Sequence, residues 1–91
     1  MTPERRRTVF AGRVQGVGFR MTCASIARRH RIAGFVRNLP DGSVELVTEG
    51  DPGEIERFLG EISAAMNLYI TSAVSLHWDS LESLEGFEIR G

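Results

Sequence analysis

With 91 residues, 42% of them hydrophobic and 25% charged, the chain has the length of one domain and the composition of a soluble globular protein. It holds no apolar run near the ~18 residues of a membrane span and no apolar N-terminal stretch of the kind a secretory signal needs. The single cysteine, Cys23, can build neither an internal disulfide nor a metal cluster, which points to a reducing cytoplasm.

The net charge of −1 conceals a split: residues 1–40 hold nine Arg and one Glu, residues 41–91 two Arg and eleven acids, and Lys is absent. Such polarity either steers an anionic ligand toward the N-terminal half or is solvated surface. Arg5-Arg6-Arg7 reads as a solvated terminus able to attract anions.

Thr8 through Val14 reads as a first strand, broken by Gln15-Gly16-Val17-Gly18 with two glycines two residues apart. A helix follows, with Phe19, Cys23, Ile26, Ala27 and His30 on one face. Arg28, Arg29 and Arg31 fall toward its end, where cations suit the helix dipole. Gly34 through Leu39 and Ser43 through Thr48 form a hairpin about the turn signal Pro40-Asp41-Gly42, and Val44 and Leu46 alternate with Glu45. Asp51 as cap, Pro52 at the first position and Glu54 in a capping-box-like place open a second helix. Its buried stripe is Ile55, Phe58, Leu59, Ile62 and Met66. Tyr69 through Trp78 predicts a strand and Phe87-Glu88-Ile89 a short last one.

The order βαββαβ plus a terminal strand, with no repeat or linker, predicts one α+β domain over residues 1–91. Each helix must bury one apolar stripe and an antiparallel sheet has one face to offer, so both pack on that face as a ferredoxin-like sandwich. That architecture hosts binding, regulatory and catalytic domains alike.

The chemistry concentrates between the first strand and first helix, in Gly12-Arg13-Val14-Gln15-Gly16-Val17-Gly18-Phe19-Arg20. Glycines at 16 and 18 let successive backbone N–H groups turn inward. The helix start adds free N–H groups and partial positive charge, and Arg20 in its first turn can lay a planar fork of donors against phosphate oxygens. The alternative is a tight strand-to-helix turn beside a surface arginine. Neither a nucleotide P-loop, which ends in Gly-Lys-Ser/Thr, nor a dinucleotide G-x-G-x-x-G is present.

The run G-R-V-Q-G-V-G-F-R over residues 12–20 resembles the signature loop of the acylphosphatase family. Gly34-Phe35-Val36-Arg37-Asn38 followed by Asp41-Gly42-Ser43-Val44-Glu45 is similar to its second motif, in the right order and at a fitting distance. The resemblance covers residues 8–50 closely and Phe58 and Phe87-Glu88-Ile89 more loosely. It implies a monomeric, metal-free and cofactor-free hydrolase that releases carboxylate and inorganic phosphate from an acyl phosphate, with neither nucleic acid nor membrane as partner. It further implies that phosphate is held by the amides of Gln15, Gly16, Val17, Gly18, Phe19 and Arg20 and by the Arg20 guanidinium, and that Asn38 orients the attacking water. A carboxamide cannot deprotonate that water, so the substrate's own phosphate is expected to take the proton.

Three departures bear on the site. Met21 stands where an aromatic residue is common, Phe35 replaces a frequent tryptophan, and Ala64 through Tyr69 lacks the usual Gly-Pro-type turn. Cys23, His30, His77 and Trp78 read as packing or surface residues.

Three other readings compete. One is a non-catalytic phosphate-binding domain, and another the acylphosphatase-like N-terminal domain of the hydrogenase-maturation carbamoyltransferase, against which the chain's length speaks. The third is an RNA-recognition domain, which needs stacking aromatics where Ser43 through Glu49 has none and carries two acids.

Overall fold

The computed structural model describes residues 3–91. Its elements are β1 (Glu4–Gly12), α1 (Phe19–Ala27), β2 (Ile32–Asn38), β3 (Val44–Gly50), α2 (Pro52–Ala65), β4 (Ile70–His77) and β5 (Phe87–Arg90). The strands lie in the order β4-β1-β3-β2-β5. Both helices pack on this sheet, and Phe19, Cys23, Ile26, Phe58 and Ile62 share one core with Phe10, Val36, Val44 and Leu46. Period-two alternation in the central strands and 3.6-residue spacing in the helices bring these side chains to one layer.

The sheet is mixed, which corrects the all-antiparallel expectation. β1 pairs antiparallel with β3 and β4, and β2 with β3, but β5 runs parallel to β2 from Gly34↔Phe87 to Arg37↔Arg90. β4 ends beside the start of β1, at the end of the sheet where β2 begins. The stretch 78–86 crosses to the opposite edge there, and the chain re-enters alongside β2 in the same direction.

The first arginines are not a solvated terminus. They lie in β1, which starts four residues earlier than expected and ends two residues earlier. Arg5 donates to Glu49 on β3 at 2.5 Å, Arg6 pairs with Glu4 and with Glu56 on α2 at 2.6 Å, and Arg7 pairs with Glu45. Arg29 meets Glu61 on α2 at 2.7 Å. The charge split along the sequence therefore becomes pairing in space, because antiparallel strands and a returning helix bring the basic half against the acidic half.

Asp51 caps α2 as expected, its Oδ2 accepting from the Gly53 and Glu54 amides at 3.0 and 3.3 Å. Glu54 does not complete the box. Its carboxylate goes instead to Arg57 at 2.7 Å and to His30 Nδ1 at 2.6 Å. His30 sits beyond the end of α1, with its side chain only 6% exposed, its ring on Phe58 and its Nε2 against Glu61. The imidazole thus has a carboxylate against each of its nitrogens. It ties the turn after α1 to α2.

Candidate active site

β1 ends at a bulge between Ala11 and Gly12. Gly12 has φ 127, and a Cβ there would lie 2.2 Å from the Tyr69 carbonyl, which also accepts from Arg13 N at 2.9 Å. The chain leaves the sheet here through residues 13–18. Val14 and Phe19, 1% and 2% exposed, anchor the two ends of this loop in the core, and Phe19 lies 5.0 Å from the Phe10 ring.

Between those anchors Gly16 and Gly18 both adopt φ 78. A Cβ at either would touch nothing within 4 Å, so the left-handed dihedral, not crowding, calls for glycine. Gly18 caps α1 without a side-chain hydrogen bond, and its carbonyl accepts from Thr22 N at 3.0 Å. Among the described residues none accepts from the backbone amides of residues 15–20. A short turn thus gathers free amides at the positive end of a helix.

Arg20 belongs to the first turn of α1. Its Nη1 donates to the Arg90 carbonyl of β5 at 3.3 Å, and among the described residues no carboxylate pairs with it. Asn38 is the last residue of β2, and its Oδ1 is buried without a protein partner. A buried acceptor left unpaired costs about 1–3 kcal/mol. Gly16, Gly18, Phe19, Arg20 and Asn38 together line one small pocket of about 110 Å³, joined by Val14 and Met21.

Gln15 and Val17 are not in that lining. Val17 packs partly buried against the core. The Gln15 side chain reaches the turn after β2, where its Nε2 donates to the Leu39 and Ser43 carbonyls at 2.9 Å each. That turn is closed by Leu39 N to Ser43 O at 2.9 Å and by Asp41 Oδ1, which accepts from Ser43 N at 2.9 Å. The hydroxyl of Ser43, then its amide, draws the Asp41 carboxyl below its usual range. Gln15 therefore straps the loop to the turn that follows Asn38, fixing the distance between the two halves of the pocket. Sequence reasoning assigned it only an amide, because the carbonyls it reaches lie 24 and 28 residues further along the chain.

Met21, 69% exposed, lines the pocket as a rim residue. Cys23, three residues after Arg20, is fully buried, and burial pushes its thiol up to about 12, which makes it inert packing. His77 is exposed, 3.2 Å from Asp79, and Trp78 lies across the sheet against Phe35 at 5.9 Å. Neither approaches the pocket lining. Glu45 and Glu49 project from β3 on the face away from the helices and pair with arginines there, an arrangement unsuited to stacking bases.

Residues 6–89 match the family model described as Acylphosphatase. The chain is 46% identical over 80 residues to an acylphosphatase of Thermococcus kodakarensis, an alignment spanning 88% of each protein. It is similar in structure to the acylphosphatase of Bacillus subtilis, with TM-score 0.85 and 32% identity over 96% of this chain and 98% of that one. Full-length HypF in its phosphate- and nucleotide-bound form also matches, with TM-score 0.80 and 27% identity over 99% of this chain and 12% of HypF.

Proposed function

The chain belongs to the acylphosphatase family, and from that premise we propose that the loop of residues 15–20 with Arg20 holds the phosphate of its substrate while Asn38 aims the attacking water. The chain is an acylphosphatase, an enzyme that hydrolyses acyl phosphates. The carbamoyltransferase-domain reading and the binding-only reading are not favoured over it: relatives that share most of its length are acylphosphatases.

The observation that carries the residue assignment is the shared pocket. Arg20 of α1 and Asn38 of β2, 18 residues apart in sequence, line the same 110 Å³ concavity as the two left-handed glycines. A phosphoryl group seated there would meet a guanidinium fork and several amides, so charge moving onto its oxygens is met by fixed dipoles. Carboxylate is a good leaving group and needs little help, which leaves alignment and charge stabilisation as the enzyme's task. The unpaired Oδ1 of Asn38 accepts from the water, and the proton released passes to the phosphate oxygen, since no side chain in the lining is a base. Arg20 and the amides supply the positive charge that a metal would otherwise bring, so the reaction proceeds without one.

All of the pocket's lining residues come from one chain, which supports reading the monomer as the working unit. Among the described residues no helix is long and apolar enough to cross a membrane. The lone, buried Cys23 suits a reducing cytoplasm.

Steady-state hydrolysis of benzoyl phosphate, with and without a chelator, tests this reading. Turnover unaffected by chelator and competitively inhibited by inorganic phosphate is expected. Phosphate binding without hydrolysis would restore the binding-only reading, and loss of turnover on chelation would overturn the metal-free mechanism.

A further inference from the structure

A larger concavity than the phosphate pocket adjoins it. Met21, Thr22, Ser25, Ile26 and Arg29 on one side and Glu61, Ala64 and Ala65 on the other enclose a groove of about 730 Å³ between α1 and α2, mostly apolar in its lining. The spacing explains the space. Met21 and Ser25 are one helical turn apart on α1, Glu61 and Ala65 one turn apart on α2, and the small side chains Ser25, Ala64 and Ala65 leave the helices unfilled there. Arg29 and Glu61, paired at 2.7 Å, stand at the far end.

Met21 is common to both linings. The small pocket, at about 110 Å³, is several times smaller than the groove, and a phosphoryl head with its attacking water occupies much of it. Any acyl group must therefore extend past the rim. Val14 and Phe19 are buried floor, Gly16 and Gly18 have no side chain, and Met21 is the exposed apolar side chain at the exit. From Met21 the groove runs along α1 for about 12 Å at the helical rise, to the Arg29–Glu61 pair.

We infer that this groove is the acyl-tail subsite, and that the enzyme prefers acyl phosphates bearing a medium-length apolar tail over acetyl- or carbamoyl-sized ones. The inference rests on the assignment of the small pocket to phosphate. Met21 bends the tail from one site into the other, as an unbranched thioether can, and the charged pair at the end limits tail length. An open groove buries about half of a chain's surface, so each methylene seated there is expected to tighten binding about twofold.

The test compares acetyl phosphate with octanoyl phosphate as substrates for the wild-type chain and for Ser25→Phe and Ala64→Phe, which fill the groove from opposite walls at exposed positions. The expected result is a KM for octanoyl phosphate about tenfold or more below that for acetyl phosphate in the wild type. In either plugged variant the octanoyl KM rises about tenfold, while acetyl phosphate hydrolysis and inhibition by inorganic phosphate stay unchanged. Equal wild-type KM values for the two substrates, or plugged variants that keep the octanoyl advantage, overturn the subsite while leaving the phosphate pocket intact. Failure of the wild type to hydrolyse either substrate, or to be inhibited by phosphate, overturns the pocket assignment and the subsite with it.

Discussion

The arginines on the outer face of the sheet and the arginine at the start of α1 differ in their company. Arg7 and Arg37 converge on Glu45, Arg5 reaches Glu49, and Arg90 lies 3.7 Å above the Phe35 ring while pairing with Glu82 and Glu88. Each of these charges is spent locally. Arg20 contacts one carbonyl, that of Arg90, beside a pocket edged by unpaired amides. Arg20 is poised for an anion because the fold both withholds a carboxylate from it and sets it beside free amides, a placement that the count of basic residues along a chain does not reveal.

Removing Arg20 should show this contrast at its largest. Arg20→Gln is expected to lower kcat/KM by about 10²–10³ and to weaken phosphate inhibition, with a thermal midpoint within a few degrees of wild type. Arg37→Gln should leave both kinetic parameters unchanged, and a comparable kinetic loss there would erase the distinction. Asn38→Ala is expected to reduce kcat by roughly tenfold to a hundredfold while KM and phosphate inhibition hold, because the water and not the phosphate loses its partner. A wild-type kcat in a folded Asn38→Ala variant would remove the water-positioning role.

Glu45→Gln probes the opposite pole. Burial works against the charge on Glu45, yet Arg7 and Arg37 together hold its carboxyl below the usual range. Neutralising it should cost about 2 kcal/mol of stability in denaturant unfolding, with activity per folded molecule intact.

The smallest effect is expected in acid. Hydrogen bonding to Arg57 and then His30 lowers Glu54, and hydrogen bonding to Arg29 and then His30 lowers Glu61, both from an ordinary value of 4.5. Values lower in the folded state mean that the unfolded chain takes up protons first as pH falls. Stability from these groups is thus full above pH 4.5 and lost on descending through the folded values. Glu54→Gln and Glu61→Gln should each flatten that acid limb slightly, as measured by urea midpoints across pH 3–6.

Much of the fold was legible because it follows from local periodicity. The helices over 19–27 and 52–65, the hairpin about Asp41-Gly42 and the strand-loop-helix passage through Gly16 and Gly18 all carry their own signals in adjacent residues. What escaped depends on pairing across distance. The direction of β5 is set by where the 78–86 crossing lands, and a four-residue strand has no pattern that encodes it. Glu54 looked like half of a capping box until Arg57, one turn on in the same helix, and His30, brought close by packing, outcompeted a backbone amide for its carboxylate.

The site divides in the same way. Arg20 and the glycines are visible as a loop composition, and the closeness of Asn38 follows from β2 and β1 flanking β3. The strap from Gln15 to the Leu39 and Ser43 carbonyls and the rim position of Met21 are tertiary facts with no local signature.

Cys23 gives the enzyme a built-in clock. Its thiol is sealed under the same helix that presents Arg20, and burial keeps it protonated at neutral pH. An alkylating reagent can reach it only when α1 lifts from the sheet, so the rate of labelling measures how often the guanidinium loses its footing. Because the chain has no second cysteine, that readout comes from one place alone.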